Sequence, residues 1–312
     1  MKIFIIVLIS LIILYLLITY LMFIFVSRKL SNNILPMESI VEETIKPYES
    51  IVKVGNDWVD EKYKNNEVED VYIKSDDLKL HGILIENKNS KGTIIEVHGY
   101  RSSAKRDLFA SVNEYYNMGY NILLIDQRAS NLSEGKYITF GIKESIDLIN
   151  WVKYVNNRFK NKSVILAGIS IGASTVLMSL KNINESMNVK CALVDCGYIS
   201  AYKEVLYCIK HYFHLNGILF IDAINMWCKI FAGYSLKEND TISSLEKTNI
   251  PILFVHGLID DFVPSKNTLI NYEKYKGPKE MIIFDNATHG ISYLTEPERY
   301  LNGIKNFVSK YE

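Results

Sequence analysis

Between residues 93 and 284 the chain alternates short, predominantly apolar runs with longer stretches of helical period. The runs at 93–97, 121–125, 164–167, 190–194, 250–255 and 280–284 are bounded by turn residues and are too short for helices. Between and after them, 107–118, 142–156, 173–181, 266–275 and 297–310 place apolar residues at helical spacing. Strands that are apolar on both faces need cover on both, and helical crossovers make neighbouring strands parallel. The pattern predicts an α/β fold with a mostly parallel, doubly wound sheet, preceded by a hairpin over 71–73 and 78–85. Ligands of such sheets sit at the carboxyl ends of the strands.

Two regions fall outside that rhythm. Between Asp195 and Ile250 no strand pattern occurs, and aromatic and aliphatic residues are dense, among them Tyr198, Tyr207, Phe213, Trp227 and Phe231. This stretch, about 197–248, is expected to form a helical cap inserted over the site. At the other end, Ile3 to Val26 carries no charge, and at ~1.5 Å per residue the run is longer than the ~30 Å hydrocarbon core of a bilayer. It also exceeds the ~7–15 apolar residues usual in a signal peptide, and no small-x-small cleavage pattern follows it. The expected organisation is a transmembrane anchor over 1–29, a polar tether over 30–66 that turns partly helical around 38–45, and a catalytic domain over 67–312. Lys2 on one side of the run and Arg28 and Lys29 on the other nearly balance, so the positive-inside comparison leaves the orientation open.

Composition excludes some classes. Lys+Arg and Asp+Glu both number 35, so no basic field exists to hold nucleic acid. The cysteines at 191, 196, 208 and 228 show no C-x-x-C spacing, and His211 and His214 have no third ligand nearby in sequence. Free buried thiols and cap-packing histidines are expected, with no metal or organic cofactor.

Chemistry concentrates around "LAGISIGAST", 167–176. Ser170 lies between Gly168 and Gly172, directly after a strand and before small residues that open a helix, the pattern of a sharp turn that exposes a serine hydroxyl. Such a serine needs a base in hydrogen-bond reach and an acid to orient the base. In this sheet type these follow in the order acid, then histidine. Of the six histidines, only His289, just past the final strand, follows every candidate acid. The acid comes from "HGLIDDFVP", where Asp260 and Asp261 both qualify; spacing leans to Asp260, and Asp261 suits capping of the following helix. Oxyanion donors are expected from the backbone N–H of Ile171, at a helix N-terminus, and of Tyr100 in the loop "HGYRSS".

In order and spacing, "EVHGYRSS", "DQRASNLSEGKYITFG", "GISIGAS", "VDCGYIS", "FVHGLIDDFVP" and "NATHG" resemble the membrane-anchored bacterial α/β-hydrolases of the serine aminopeptidase-like group, over roughly residues 66–312. The resemblance implies Ser170 as nucleophile, Asp260 as acid, His289 as base, and Tyr100 and Ile171 as oxyanion donors. One departure stands out. Where such proteins show D-x-R-G-x-G-x-S, this chain has Ala129 and Asn131 in place of the two glycines, and Arg128 between Gln127 and Ala129 is expected to pair within the loop.

The expected activity is hydrolysis of carboxylic esters, thioesters or similar acyl bonds through an acyl-enzyme on Ser170. The substrate is a small-molecule or lipid-like acyl compound, met at the membrane through the N-terminal helix. Alternatives on the same residues are a serine peptidase or aminopeptidase and an acyltransferase; one from another class is a non-catalytic ligand-binding scaffold at the membrane.

Overall fold

A computed structural model describes residues 1–29, 44–160 and 162–312. The chain opens with α1 (Lys2–Ser27), followed by α2 (Glu49–Lys64). An antiparallel pair, β1 (Val68–Ser75) and β2 (Leu78–Ile85), leads into β3 (Gly92–Val97), α3 (Phe109–Asn117), β4 (Tyr120–Ile125) and α4 (Glu144–Arg158). Then come β5 (Ser163–Ile169), α5 (Ile171–Ser179) and β6 (Val189–Asp195). The insert carries α6 (Ala201–Phe213) and α7 (Ile218–Trp227), after which β7 (Ile252–Gly257), α8 (Lys266–Lys274), β8 (Lys279–Phe284) and α9 (Pro297–Val308) complete the chain.

The eight strands form one sheet in the order β1-β2-β4-β3-β5-β6-β7-β8. From β4 through β8 every neighbouring pair is parallel, while β2 meets β4 antiparallel. Every residue of β3, β4 and β7 is buried, as continuous apolar strands covered on both faces should be. This is the α/β-hydrolase arrangement expected from the strand–helix alternation.

Three apolar clusters divide the interior. One lies between the sheet and α2, α3 and α9, with Ile94, Val112, Ile122 and Phe307 fully buried. A second lies on the opposite face with α4 and α5, around Leu123, Trp151, Leu166 and Val176. The third sits over the carboxyl ends of the strands and joins the insert (Ile209, Ile221, Ile224) to Ile138, Phe140 and Ile171 of the catalytic side and to Phe23 of α1. The insert therefore shares one apolar core with the loop around Ile138 and Phe140, with Ile171 and with the end of α1.

The expected tether needs correction. Residues 30–43, which include most of the helix expected at 38–45, lie outside the described residues. Residues 49–64, read as the remainder of the tether, instead form α2 on the first cluster: Val59 is fully buried and the Trp58 and Tyr116 rings meet edge to face at 5.1 Å. Ile51, Val52, Val59 and Trp58 give this helix an apolar face, which the charged residues between them concealed.

The N-terminal helix is long and apolar enough to cross a membrane, properties that a signal sequence shares. Its first turns carry exposed side chains, but its end is docked. Phe23 and Ser27 are fully buried, and Lys29 N–H donates to Lys136 O at 2.8 Å, Ile138 N–H to Ser27 O at 2.7 Å.

Candidate active site

Ser170 sits between the end of β5 and the start of α5 with φ +57° and ψ −123°. Few non-glycine residues adopt this backbone, and it throws the side chain clear of the strand. The flanking glycines permit it. A Cβ on Gly172 would stand 2.0 Å from Val97 O, and one on Gly168 would stand 2.5 Å from the Gly172 carbonyl carbon, so strand, turn and helix approach closely only without side chains. Ser170 N–H donates to Asp195 O at 2.9 Å, fixing the turn to the next strand.

The structure brings the predicted residues together. The Ser170 hydroxyl lies 2.8 Å from His289 Nε2, and His289 Nδ1 lies 2.7 Å from Asp260 Oδ2. Asp260 Oδ1 accepts the N–H groups of Phe262 and Val263, both at 2.9 Å. His256 adds a fourth hydrogen bond, its Nε2–H shared between Asp260 Oδ2 at 3.1 Å and Val263 O at 2.8 Å. A carbonyl only accepts, so His256 carries its proton on Nε2, and Nδ1 is left to accept from Thr268 Oγ1 at 2.7 Å.

These contacts set the protonation states. Burial opposes charge on Asp260, but the hydrogen bonds from His256 and His289 together outweigh it and hold its pKa down to about 2. An ionised Asp260 cannot donate, so His289 Nδ1 carries the proton and Nε2 faces Ser170 as an acceptor. Burial also opposes the imidazolium of His289, yet the hydrogen bond and charge of Asp260, with Glu204 and Asp195 behind it, raise its pKa above the ordinary histidine value. Of the two acids that spacing left open, Asp260 is the one in contact. Asp261 caps no helix: its side chain is exposed, and its carbonyl accepts the Tyr207 hydroxyl at 2.8 Å.

The two expected oxyanion donors are free. Ile171 is the first residue of α5, where N–H groups lack intrahelical partners, and neither it nor Tyr100 donates a backbone hydrogen bond among the described residues. Three residues that sequence reasoning missed hold the Tyr100 loop. Asp107 accepts Gly99 N–H at 2.7 Å and the Ser102 hydroxyl. Gln127 donates from its side chain to His98 O at 2.8 Å and from its backbone to His98 Nε2 at 3.0 Å, while accepting from Thr175. His98 in turn donates Nδ1–H to Gly99 O at 2.8 Å. The Gln127 contacts arise from long-range pairing of strand ends, which no local motif reveals.

The unusual loop after β4 takes up the backbone that its missing glycines would ease. Ala129 has φ +59° and Asn131 φ +38°, both left-handed. Asn131 compensates by donating to Asp126 Oδ2 at 2.8 Å. Arg128 does not pair within the loop as expected. It forks onto Asp147 of α4, with two bonds of 2.7 Å, and reaches Asp76 at 3.2 Å. The reason is topological: the β1–β2 turn and α4 both close on this loop. All four cysteines are free thiols, three buried and Cys208 half-buried. Ligand atoms of Cys196, Asp260 and His289 lie within 4.8 Å of one another. Burial keeps the Cys196 thiol protonated, and the Asp260 and His289 atoms are already committed to each other. His211 stacks on Tyr207 at 5.1 Å and His214 closes α6 in a left-handed conformation, so neither approaches a ligand set.

Residues 44–229 match the family described as X-Pro dipeptidyl-peptidase (S15 family). A Bacillus subtilis protein, the uncharacterized YqkD, is 26% identical over 230 residues, covering 73% of this chain and 75% of that one. Among solved structures, the esterase Pf2001 of Pyrococcus furiosus is 27% identical over 78% of this chain and 91% of its own, with a TM-score of 0.64. The ferulic-acid complex of Est1E from Butyrivibrio proteoclasticus, at 19% identity and a TM-score of 0.61, shares the fold. With the fold, the serine-bearing turn and these relatives in agreement, the chain is a serine hydrolase of the α/β-hydrolase fold and belongs to the X-Pro dipeptidyl-peptidase (S15) family.

Proposed function

We propose that the protein hydrolyses carboxylic esters or thioesters of acyl chains through an acyl-enzyme on Ser170, while held to a membrane by α1. The observation that carries this reading is the unbroken line from Ser170 Oγ through His289 to Asp260, at 2.8 and 2.7 Å. His289 Nε2 takes the hydroxyl proton as Ser170 attacks the acyl carbon. Asp260 keeps the tautomer and stabilises the imidazolium. The Tyr100 and Ile171 N–H groups receive the oxyanion, a donor there commonly contributing ~2.7–4 kcal/mol. The proton on His289 then passes to the leaving group, and the same nitrogen activates the water that releases the acid.

Retention of α1 is supported by how its end is used. A cleaved leader would not contribute a fully buried Phe23 to the cluster under the cap, nor backbone bonds to residues 136 and 138. An acyl substrate is supported by that same cluster, which sets apolar side chains beside Ile171. The Pyrococcus furiosus relative is named an esterase, which fits.

Cleavage of peptide amides is the second reading, favoured by the family match. A chain-length series of p-nitrophenyl esters beside X-Pro p-nitroanilides, with wild type and Ser170→Ala in detergent, separates the two. Turnover of esters by wild type alone supports the proposal; turnover of the anilides alone transfers it to the peptidase reading, and turnover surviving in Ser170→Ala removes both.

A further inference from the structure

Lys2 ends the apolar run of α1, and the first hydrogen bond from that helix to the rest of the protein is made by Tyr15, whose hydroxyl donates to Leu219 O at 2.6 Å. At ~1.5 Å per residue, Ile3 to Leu14 covers about 18 Å, well short of the ~30 Å hydrocarbon core. A bilayer crossed by α1 must therefore also enclose the stretch from Tyr15 to about Met22. That stretch is not bare. Thr19 accepts Trp227 Nε1–H at 3.0 Å, and Tyr20 packs on the rings of Trp227 and Phe231 at 5.6 and 5.4 Å. The whole of α7, from Leu219 to the turn beyond Trp227, thus lies at the depth of α1 residues that have to be inside the apolar layer.

The side chains suit that depth. Ile218, Leu219 and Ile230 are each at least 60% exposed, and Phe231 and Met226 are exposed beside them. On an aqueous surface this patch would be costly; against lipid it is not. The acidic residue of α7, Asp222, is exposed, and its charge is met there by Lys237 at 2.8 Å and the Tyr202 hydroxyl at 3.0 Å. Lys229 is exposed and long enough to snorkel to the headgroups.

Resting on the reading of α1 as a retained span, we propose that the exposed apolar face of α7 and the turn after it, carrying Ile218, Leu219, Ile230 and Phe231, is sunk into the bilayer beside α1, so that acyl substrates reach Ser170 from the lipid. The occupant of the patch is the membrane that α1 crosses. A run of rings leads from the end of α1 to the chemistry: Phe25 meets Phe213 at 6.0 Å, the adjacent Tyr212 meets Phe262 at 5.8 Å, and Phe262 lies 4.9 Å from the His289 ring.

The test uses the full chain in phosphatidylcholine vesicles. Ile218→Cys and, separately, Ile230→Cys are labelled with an environment-sensitive nitrobenzoxadiazole dye, with the label on the unsubstituted protein as blank. Ser309→Cys, exposed at the opposite end of the sheet near the Lys91–Glu312 pair, serves as the aqueous reference. The expected result is blue-shifted emission at 218 and 230, quenched severalfold more strongly by doxyl lipids than at 309. Water-like emission at both positions, in protein that stays with the vesicles through a carbonate wash, overturns the immersion of the cap while leaving the anchor standing. Loss of the protein in the wash overturns the anchor reading and the proposal with it.

Discussion

The Tyr100 hydroxyl donates to Val26 O at 2.6 Å, so the residue expected to supply one oxyanion N–H is bonded through its side chain to the last turn of the N-terminal helix. The neighbouring Arg101 guanidinium donates to Phe25 O. The end of the apolar helix is thus held by the loop that carries Tyr100 and Arg101. Tyr100→Phe removes one part-buried hydrogen bond and is expected to lower stability by about 1 kcal/mol. A truncation that lacks α1 removes the partner altogether, and it should unfold at a lower temperature than the full chain in the same detergent. Thermal unfolding of both variants checks this.

Arg128 and Asp147 form a buried, two-pronged ion pair, with side chains only 5% and 3% exposed. Removing one partner leaves the other charged and dry. Arg128→Met should cost about 3–5 kcal/mol, and Arg128→Met with Asp147→Leu should recover a large part of it. Denaturant titration of the single and double variants gives the comparison.

The pH profile of kcat/KM should have an acid limb set by His289. Its imidazole must be neutral to accept the Ser170 proton, and its pKa is raised, so the rate climbs with pH through a midpoint above the ordinary histidine value. Asp260→Asn takes away the charge that raises it. In that variant the rate falls by roughly 10⁴-fold while the acid limb moves to lower pH. A limb that stays in place would dissociate Asp260 from His289.

Glu96, one residue from the carboxyl end of β3, is buried with Oε1 unpartnered, and burial pushes its pKa up to about 8. The unfolded chain releases this proton near the ordinary carboxyl value, whereas the folded chain keeps it. Stability is therefore lost as pH rises from about 4.5 to about 8. Glu96→Gln holds the neutral shape at every pH. Its unfolding midpoint should exceed wild type by more at pH 9 than at pH 5, as differential scanning fluorimetry in detergent can show.

Local chemistry was legible in the sequence and long-range pairing was not. Ser170 between two glycines, the strand before it and His289 past the last strand could be placed from spacing alone, because a sheet of parallel strands puts their carboxyl ends side by side. Asp260 and Asp261 differ by one residue and by nothing in composition. Only the fold shows that the turn after β7 aims the first inward and leaves the second in solvent. Arg128 is expected from its position to pair within its loop, yet its partners lie on α4 and the β1–β2 turn, elements that no local rule links to that loop. Helix α2 was missed because charged residues are interleaved with its apolar face, and its burial depends on a partner, α3, that lies far along the chain. In the loop after β4, Ala129 and Asn131 stand where the resemblance places glycines, and their left-handed angles show that those positions keep a glycine-like backbone.

The central claim is that Ser170 is a nucleophile activated by its neighbours. Its most direct test is mass spectrometry of the full-length protein in detergent after reaction with a fluorophosphonate, with proteolytic mapping of the adduct. The account predicts one adduct per chain, carried by the peptide that contains Ser170 and absent from Ser170→Ala. An adduct on another residue, or none on protein shown by its unfolding transition to be folded, contradicts it.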